Sequence, residues 1–223
     1  MRPRKITTQK QGAPPEASGA DTREQLLDAA AALFAEHGIA ATTVAKIAAL
    51  VGVTSAMIHY YFKTRDQLLD AIVQERIVQF IAFVWDPIAN DEDDPTALIT
   101  GLIDRIASFT DAKPWLPPLW IGEVINEGGL LRERVLQHIP VDRLKLFVAC
   151  IASGQKKGTV NPDLDPRLLF MSVLGLTILP LAMARVWNVI PIMNGVSRDD
   201  ITRHATALIL HGLVSPEAVP GNG

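Results

Sequence analysis

Cysteine is almost absent from this chain. Cys150 stands alone among 223 residues, which excludes an intrachain disulfide framework and fits a reducing compartment, so a cytoplasmic location is expected. Long apolar runs are also missing. The longest, residues 168–186, is interrupted by Pro180 and Arg185, which favours a buried helix over a membrane span, and no membrane partner is expected. No charged-then-apolar secretion signal opens the sequence. No stretch alternates β-branched residues as a strand would, and no internal repeat is present. Catalytic signatures are lacking as well: there is no Gly-x-Ser-x-Gly, no phosphate-cradling glycine loop, no HExxH and no cysteine pair. An enzyme is not expected, and neither catalytic residues nor a cofactor is assigned.

Charge of one sign is missing too, since 21 Lys and Arg stand against 24 Asp and Glu. Its distribution leans: residues 1–66 carry eight basic and six acidic side chains, residues 67–223 thirteen and eighteen. An acidic protein still binds DNA when the positive charge lies locally, because only charge near the phosphates acts on them. The five histidines are His37, His59, His138, His204 and His211. Two of them at a seven-residue spacing on one helix do not make a metal site without a third ligand. The acidic run at residues 91–94 has neither the glycine nor the distal glutamate of a calcium loop, and precedes Pro95 as the start of a helix. No metal is expected.

What is present is helical periodicity. Asp21 or Thr22 caps a first helix with a buried stripe of Leu26, Leu27, Ala30, Leu33 and Phe34, ended by Gly38. Thr43 then caps a short helix with Val44, Ile47, Ala48 and Val51 on one face; Gly52 turns the chain, and Thr54 or Ser55 caps the next helix. In that helix Ile58 and Phe62 face inward, leaving Ser55, Ala56, Met57, His59 and Tyr60 on or near the open side. A helix, a glycine turn and a second helix of small, polar and aromatic residues is the build that enters a DNA major groove. Small residues permit close approach to bases, Tyr and His donate to phosphates, and Lys63 and Arg65 add charge beside the duplex backbone.

These residues resemble the DNA-binding domain of the TetR family of bacterial transcriptional regulators. REQLLDAAAALFAEHG matches the first helix, TTVAKIAALVGVT the second helix and turn, and SAMIHYYFKTRDQLL the recognition helix and the start of the fourth. Ala56, His59, Tyr61 and Arg65 stand where relatives usually carry Gly, Tyr, His and Lys, so no operator sequence transfers. The DNA-contact set expected from motif and resemblance is Thr43, Ser55, Ala56, Met57, His59, Tyr60, Tyr61, Lys63 and Arg65.

The expected architecture is all-α: a disordered arm over residues 1–20, a helix-turn-helix domain over 21–67, a helical effector-binding and dimerisation domain over 68–215, and a disordered tail over 216–223. The arm, with Arg2, Arg4, Lys5 and Lys10, has two readings, a minor-groove contact or a terminus without a role. A long fourth helix from Arg65 through Leu68, Leu69, Ile72, Ile77 and Phe80 toward Trp85 links the two parts. Further helices are expected at about 95–110, 117–126, 130–157, 165–190 and 198–213. The last two, with Leu168, Leu169, Met171, Val173, Leu176, Ile178 and Leu179, then Ile201, Ala205, Leu208 and Ile209, are apolar on more than one side, which calls for burial against a second subunit. The alternative is an ordinary core pair in a monomer; the resemblance implies a four-helix interface in a homodimer.

Trp85, Phe109, Trp115, Trp120, Phe147, Phe170, Met183 and Trp187 supply polarisable surface for a small-molecule pocket, with Glu123, Asn126 and Arg105 as polar members. Core packing is the competing reading of each aromatic. The expected function is a ligand-responsive repressor that binds a palindromic double-stranded operator as a homodimer and is released by an unidentified effector moving the fourth helix. An activator or ligand-independent regulator shares the same reader, and a helical binding protein without DNA function is the further alternative.

Overall fold

Helix caps fall where short polar residues precede apolar periodicity. The computed structural model describes residues 17–87 and 94–214. Helix α1 spans Ala17–His37, α2 Val44–Val51 and α3 Ser55–Tyr61. Thr43 Oγ accepts from the Lys46 amide at 3.3 Å, and the chain leaves α2 through Gly52 at φ 76°. Helices α2 and α3 meet at 102°, within the range that places a second helix in a groove. A Cβ at Gly52 would meet nothing within 4 Å, so Gly52→Ala is a test of backbone strain alone. It is expected to lower stability by about 1–2 kcal/mol, read by urea denaturation.

The first helix starts a turn earlier than the sequence suggests, at Ala17, so Asp21 and Thr22 lie inside it rather than at its cap. The added turn lies beside α3, with the Tyr61 hydroxyl 3.4 Å from where a Cβ on Gly19 would be. The rest of the expected arm, residues 1–16, and the expected tail, residues 216–223, lie outside the described residues, as do residue 215 and the acidic residues 91–93.

The link is a single path with a defect in it. Helix α4, Arg65–Ile72, passes through a π turn at Val73–Ile77 into α5, Val78–Trp85. Helix α6 spans Pro95–Ala112 under an Asp94 cap. Helix α7, Leu116–Leu119, runs into a second π turn, Trp120–Ile125. The helix expected over 130–157 is two helices, α8 Arg132–Leu136 and α9 Val141–Lys156. Pro140 separates them, since it lacks an N–H and disfavours helical geometry in the residue before it. Likewise α10, Pro166–Ala182, ends short of 190; Pro180 removes an amide from its last turn, and α11, Ala184–Trp187, follows after Met183. Helix α12, Arg198–Leu213, opens with a capping box between Ser197 and Asp200.

One hydrophobic core runs from α1 through α4–α5 into α6, α9, α10 and α12, with Phe34, Ile72, Ile77, Leu102, Phe147 and Val173 fully enclosed. Apart from an isolated bridge between Val160 and Val214, the described residues are helix, turn and loop. Among them no single helix is long and apolar enough to cross a membrane.

Candidate nucleic-acid interface and effector region

Ile58 and Phe62 anchor α3 inward, at 2% and 3% exposure, and that anchoring decides what faces out. Tyr60 is 74% exposed and Met57 39%, with Ala56, His59 and Lys63 also exposed and Ser55 half-buried. Thr43 is exposed at the start of α2. These seven residues lie on or beside the helix pair, and none of them is buried.

Two members of the expected set have other work. Tyr61 is half-buried, with its ring edge-on to Tyr60 at 5.0 Å and its hydroxyl beside Gly19 of α1, so it also packs α3 toward α1. Arg65 is exposed as a residue, but its guanidinium donates to the carbonyls of Thr42, at 3.0 Å, and Ile39. It closes the loop between α1 and α2 from the side of α4. Inside the same loop the buried Thr42 hydroxyl donates to Gly38 O at 2.8 Å, and Gly38 turns the chain at φ 78°.

Behind the reading surface lies an ionic seam between α1 and the link. Arg76, in the first π turn, is only 5% exposed and donates to Asp28 Oδ1 at 2.7 Å and Glu24 Oε2 at 2.8 Å. Burial opposes its charge, yet Asp28 and Glu24 outweigh the burial and hold the guanidinium above its ordinary value. Arg23 forks onto Glu75 with bonds of 2.6 and 2.5 Å and lies over the Phe62 ring. The bond from Arg23 pulls the Glu75 carboxyl below its ordinary range.

Five of the aromatics expected around a ligand pack in two aromatic groups, one of them built on Phe80, which lies outside the expected set. Phe80 meets Phe109 at 5.2 Å and Trp120 at 5.6 Å; Trp85 meets Phe170 at 4.5 Å and Phe147 at 6.2 Å. Trp115 and Trp187 instead line open clefts. Trp115, with Pro118 and Ala182, faces α1 across a cleft of about 520 Å³; Trp187, with Leu176, Met193 and His204, lines one of about 480 Å³ beside α12. Met183 is half-buried at the α10–α11 junction.

Among the proposed polar pocket members, Arg105 Nε donates to Val84 O at 2.9 Å and Asn126 is an exposed turn residue. Glu123 belongs to the fold: Oε1 accepts from Ile39 N at 2.8 Å and Oε2 from Leu130 N at 3.0 Å. The structural roles of Glu123 and Arg76 are not legible in the sequence: Glu123 is a lone charge within the apolar stretch WIGEVI, and Arg76 stands beside Glu75 at the head of an apolar run. Among the described residues no group of three His, Cys, Asp or Glu side chains is placed to hold a metal.

Residues 26–72 match the family profile described as bacterial regulatory proteins, tetR family. The chain is 39% identical over 151 residues to the fatty acid metabolism regulator protein of Bacillus subtilis, covering 68% of this chain and 77% of that one. It is 25% identical over 194 residues to the HTH-type transcriptional repressor KstR2 of Rhodococcus jostii, covering 87% and 92%. Its fold matches the structure of the ketosteroid transcriptional regulator KstR2 of Mycobacterium tuberculosis with a TM-score of 0.69 at 21% identity, over 86% of this chain and 95% of that chain. Helix pair, link and relatives agree, and the chain belongs to the TetR family of bacterial regulatory proteins: it is a DNA-binding transcriptional regulator, not an enzyme.

Proposed function

We propose that the protein is a cytoplasmic homodimeric repressor whose two α3 helices read a palindromic operator, and that a lipid-derived small molecule releases it. The observation that carries the DNA half is the outward face of α3, with Tyr60, His59 and Met57 standing free of the core on a helix pinned from behind by Ile58 and Phe62. Thr43, Ser55, Ala56 and Lys63 complete the reading surface, and the reader gives way to the effector-binding part near residue 67. Two such helices related by a twofold axis reach successive major grooves about one turn apart.

The dimer half rests on α10 and α12. Leu168, Met171, Leu179 and Leu208 are 61%, 58%, 44% and 50% exposed, on helices whose opposite sides are buried by Leu169, Val173 and Ile209. A helix apolar on both faces within one chain leaves one face for a second copy.

The effector class follows from the relatives' names, which speak of fatty acid and ketosteroid regulation, and from the apolar character of this region. Such a molecule needs the aromatic surfaces of Trp115, Trp120, Phe109 and Trp187 more than it needs charge. It acts only through unequal affinity for the bound and released states of the dimer.

The test begins with selection of an operator from random DNA by the purified protein. Binding is expected to weaken steeply as salt rises. Tyr60→Ala is expected to weaken it about 5- to 160-fold with unchanged thermal stability, measured by fluorescence anisotropy, because removing one base or phosphate contact costs about 1–3 kcal/mol. Failure to select any sequence would overturn the reading. Palmitate is the first effector probe, with loss of the complex as the expected result.

A further inference from the structure

We propose that Glu123 is the positioning residue that sets the angle of the DNA reader against the C-terminal helices, one carboxylate oxygen holding a backbone N–H of each part. The inference rests on the proposed reading of a dimer on two half-sites and names where that dimer's geometry is held. Glu123 is 9% exposed. Its Oε1 takes the amide of Ile39, in the loop between α1 and α2, and its Oε2 takes the amide of Leu130, in the loop before α8. Ile39 is gripped from both sides, since its carbonyl receives the guanidinium of Arg65. The reader's first loop is therefore clamped between α4 and the second π turn.

The local backbone is built for this bond. In the second π turn the Asn126 amide reaches back five residues to Ile121 O at 3.2 Å, and the extra residue of a π turn rotates the side chains beside it relative to a regular helix. The following loop folds back so closely that a Cβ on Gly129 would lie 2.3 Å from Glu123 O. Only glycine permits that approach. Leu131 N then donates to Glu123 O at 3.1 Å, so the residue is bonded through both its backbone and its side chain.

Two more ties run from the same segment into the reader and link. Arg134 of α8 donates to Asp70 at 2.7 Å and Asp66 at 2.9 Å, both on α4, and the His138 ring lies 2.8 Å from the Gln74 amide in the first π turn. Residues 120–138 thus form a bracket with three holds on the reader and the link. At its other end Trp120 lies edge-on to Phe80 within the aromatic group that includes Phe109. A molecule that parts those rings displaces the start of the π turn, and Glu123 sits three residues further on. Loss of the Ile39 bond then frees the reader to rotate.

The experiment separates this from the function itself. The wild-type protein selects its operator, and one base pair is then inserted or deleted at the centre. Wild type is expected to discriminate against the altered spacing; failure to select an operator at all defeats the DNA-binding reading instead. Glu123→Ala is expected to bind the native operator and the altered spacings within about threefold of one another, and to raise hydrogen exchange at the Ile39 amide at least tenfold while the amides of α9 stay protected. Glu123→Gln, which keeps one acceptor oxygen, is expected to fall between. Arg134→Ala, a surface change that keeps the core intact, relaxes the spacing preference in the same direction and carries the test if Glu123→Ala does not fold. Undiminished discrimination in Arg134→Ala, or, in a folded Glu123→Ala, undiminished discrimination or an Ile39 amide that stays protected, overturns the proposal.

Discussion

The double substitution Leu168→Glu, Met171→Glu is expected to yield a folded monomer that no longer holds its operator. Both side chains point away from the core, at 61% and 58% exposure, while Leu169 and Val173 anchor the same helix from behind. Two charges there are solvated in the monomer and would be buried without partners in the dimer, which costs several kcal/mol. A dimer delivers its second reader at an effective concentration set by the tether, and losing that advantage weakens binding about 10²- to 10⁴-fold. Sedimentation velocity reads the mass and fluorescence anisotropy the affinity, with helical content by circular dichroism as the control for folding. A variant that still sediments as a dimer would place the interface elsewhere, the apolar rim of α8 and α9 around Leu136 and Val141 being the next surface to test.

The DNA reader is legible in the sequence because its constraints are local. Thr43 and Gly52 each mark a helix end by their own chemistry, and Ile58 and Phe62 declare the buried face of α3 by spacing. Where local signals compete with tertiary contacts, legibility drops. Asp21 is a good cap residue, yet the helix begins at Ala17, and the added turn brings Gly19 beside the Tyr61 hydroxyl. Pro140 was sufficient to break the helix expected over 130–157, but a helical period continued on both sides of it and hid the break.

The site shows the same division. Residue type and helix phase place Tyr60 outside and Ile58 inside, but phase says nothing of what a long side chain reaches. Arg65 and Glu123 were expected to meet phosphate and ligand, and both instead close on backbone of the α1–α2 loop, 26 and 84 residues away in sequence. Aromatic residues are ambiguous for a related reason. A ring fills a core and lines a pocket by the same dispersion forces, so composition cannot tell Phe147, fully enclosed, from Trp187 at the edge of a cleft. The two π turns carry no composition signal of their own, yet each sets a charged residue into the interface between reader and effector region.

Of those two residues, Arg76 is expected to matter most for stability. Arg76→Met is predicted to destabilise the protein by about 2–4 kcal/mol. The guanidinium makes four hydrogen bonds, to Asp28, to Glu24 through side chain and backbone, and to the carbonyl of Glu75. Methionine keeps most of the apolar stem, so the loss is in polar contacts rather than packing. The full penalty for orphaning buried carboxylates does not apply, because Glu24 and Asp28 keep side-chain exposures of 54% and 47% and water takes over part of the bonding. What water cannot replace is the grip on α1, and the Glu24 and Glu75 carbonyls lose their shared donor. At this chain length the predicted loss corresponds to a fall in melting temperature of about 4–16 °C. Arg76→Lys is expected to recover little of it, since an ammonium cannot span Asp28, Glu24 and two carbonyls from one position. If thermal denaturation placed Arg76→Met within 1 °C of wild type, the ionic seam would be an incidental feature of the link, and the rigidity of α1 against α4 would have to come from Leu27, Phe34, Leu69 and Ile72 alone.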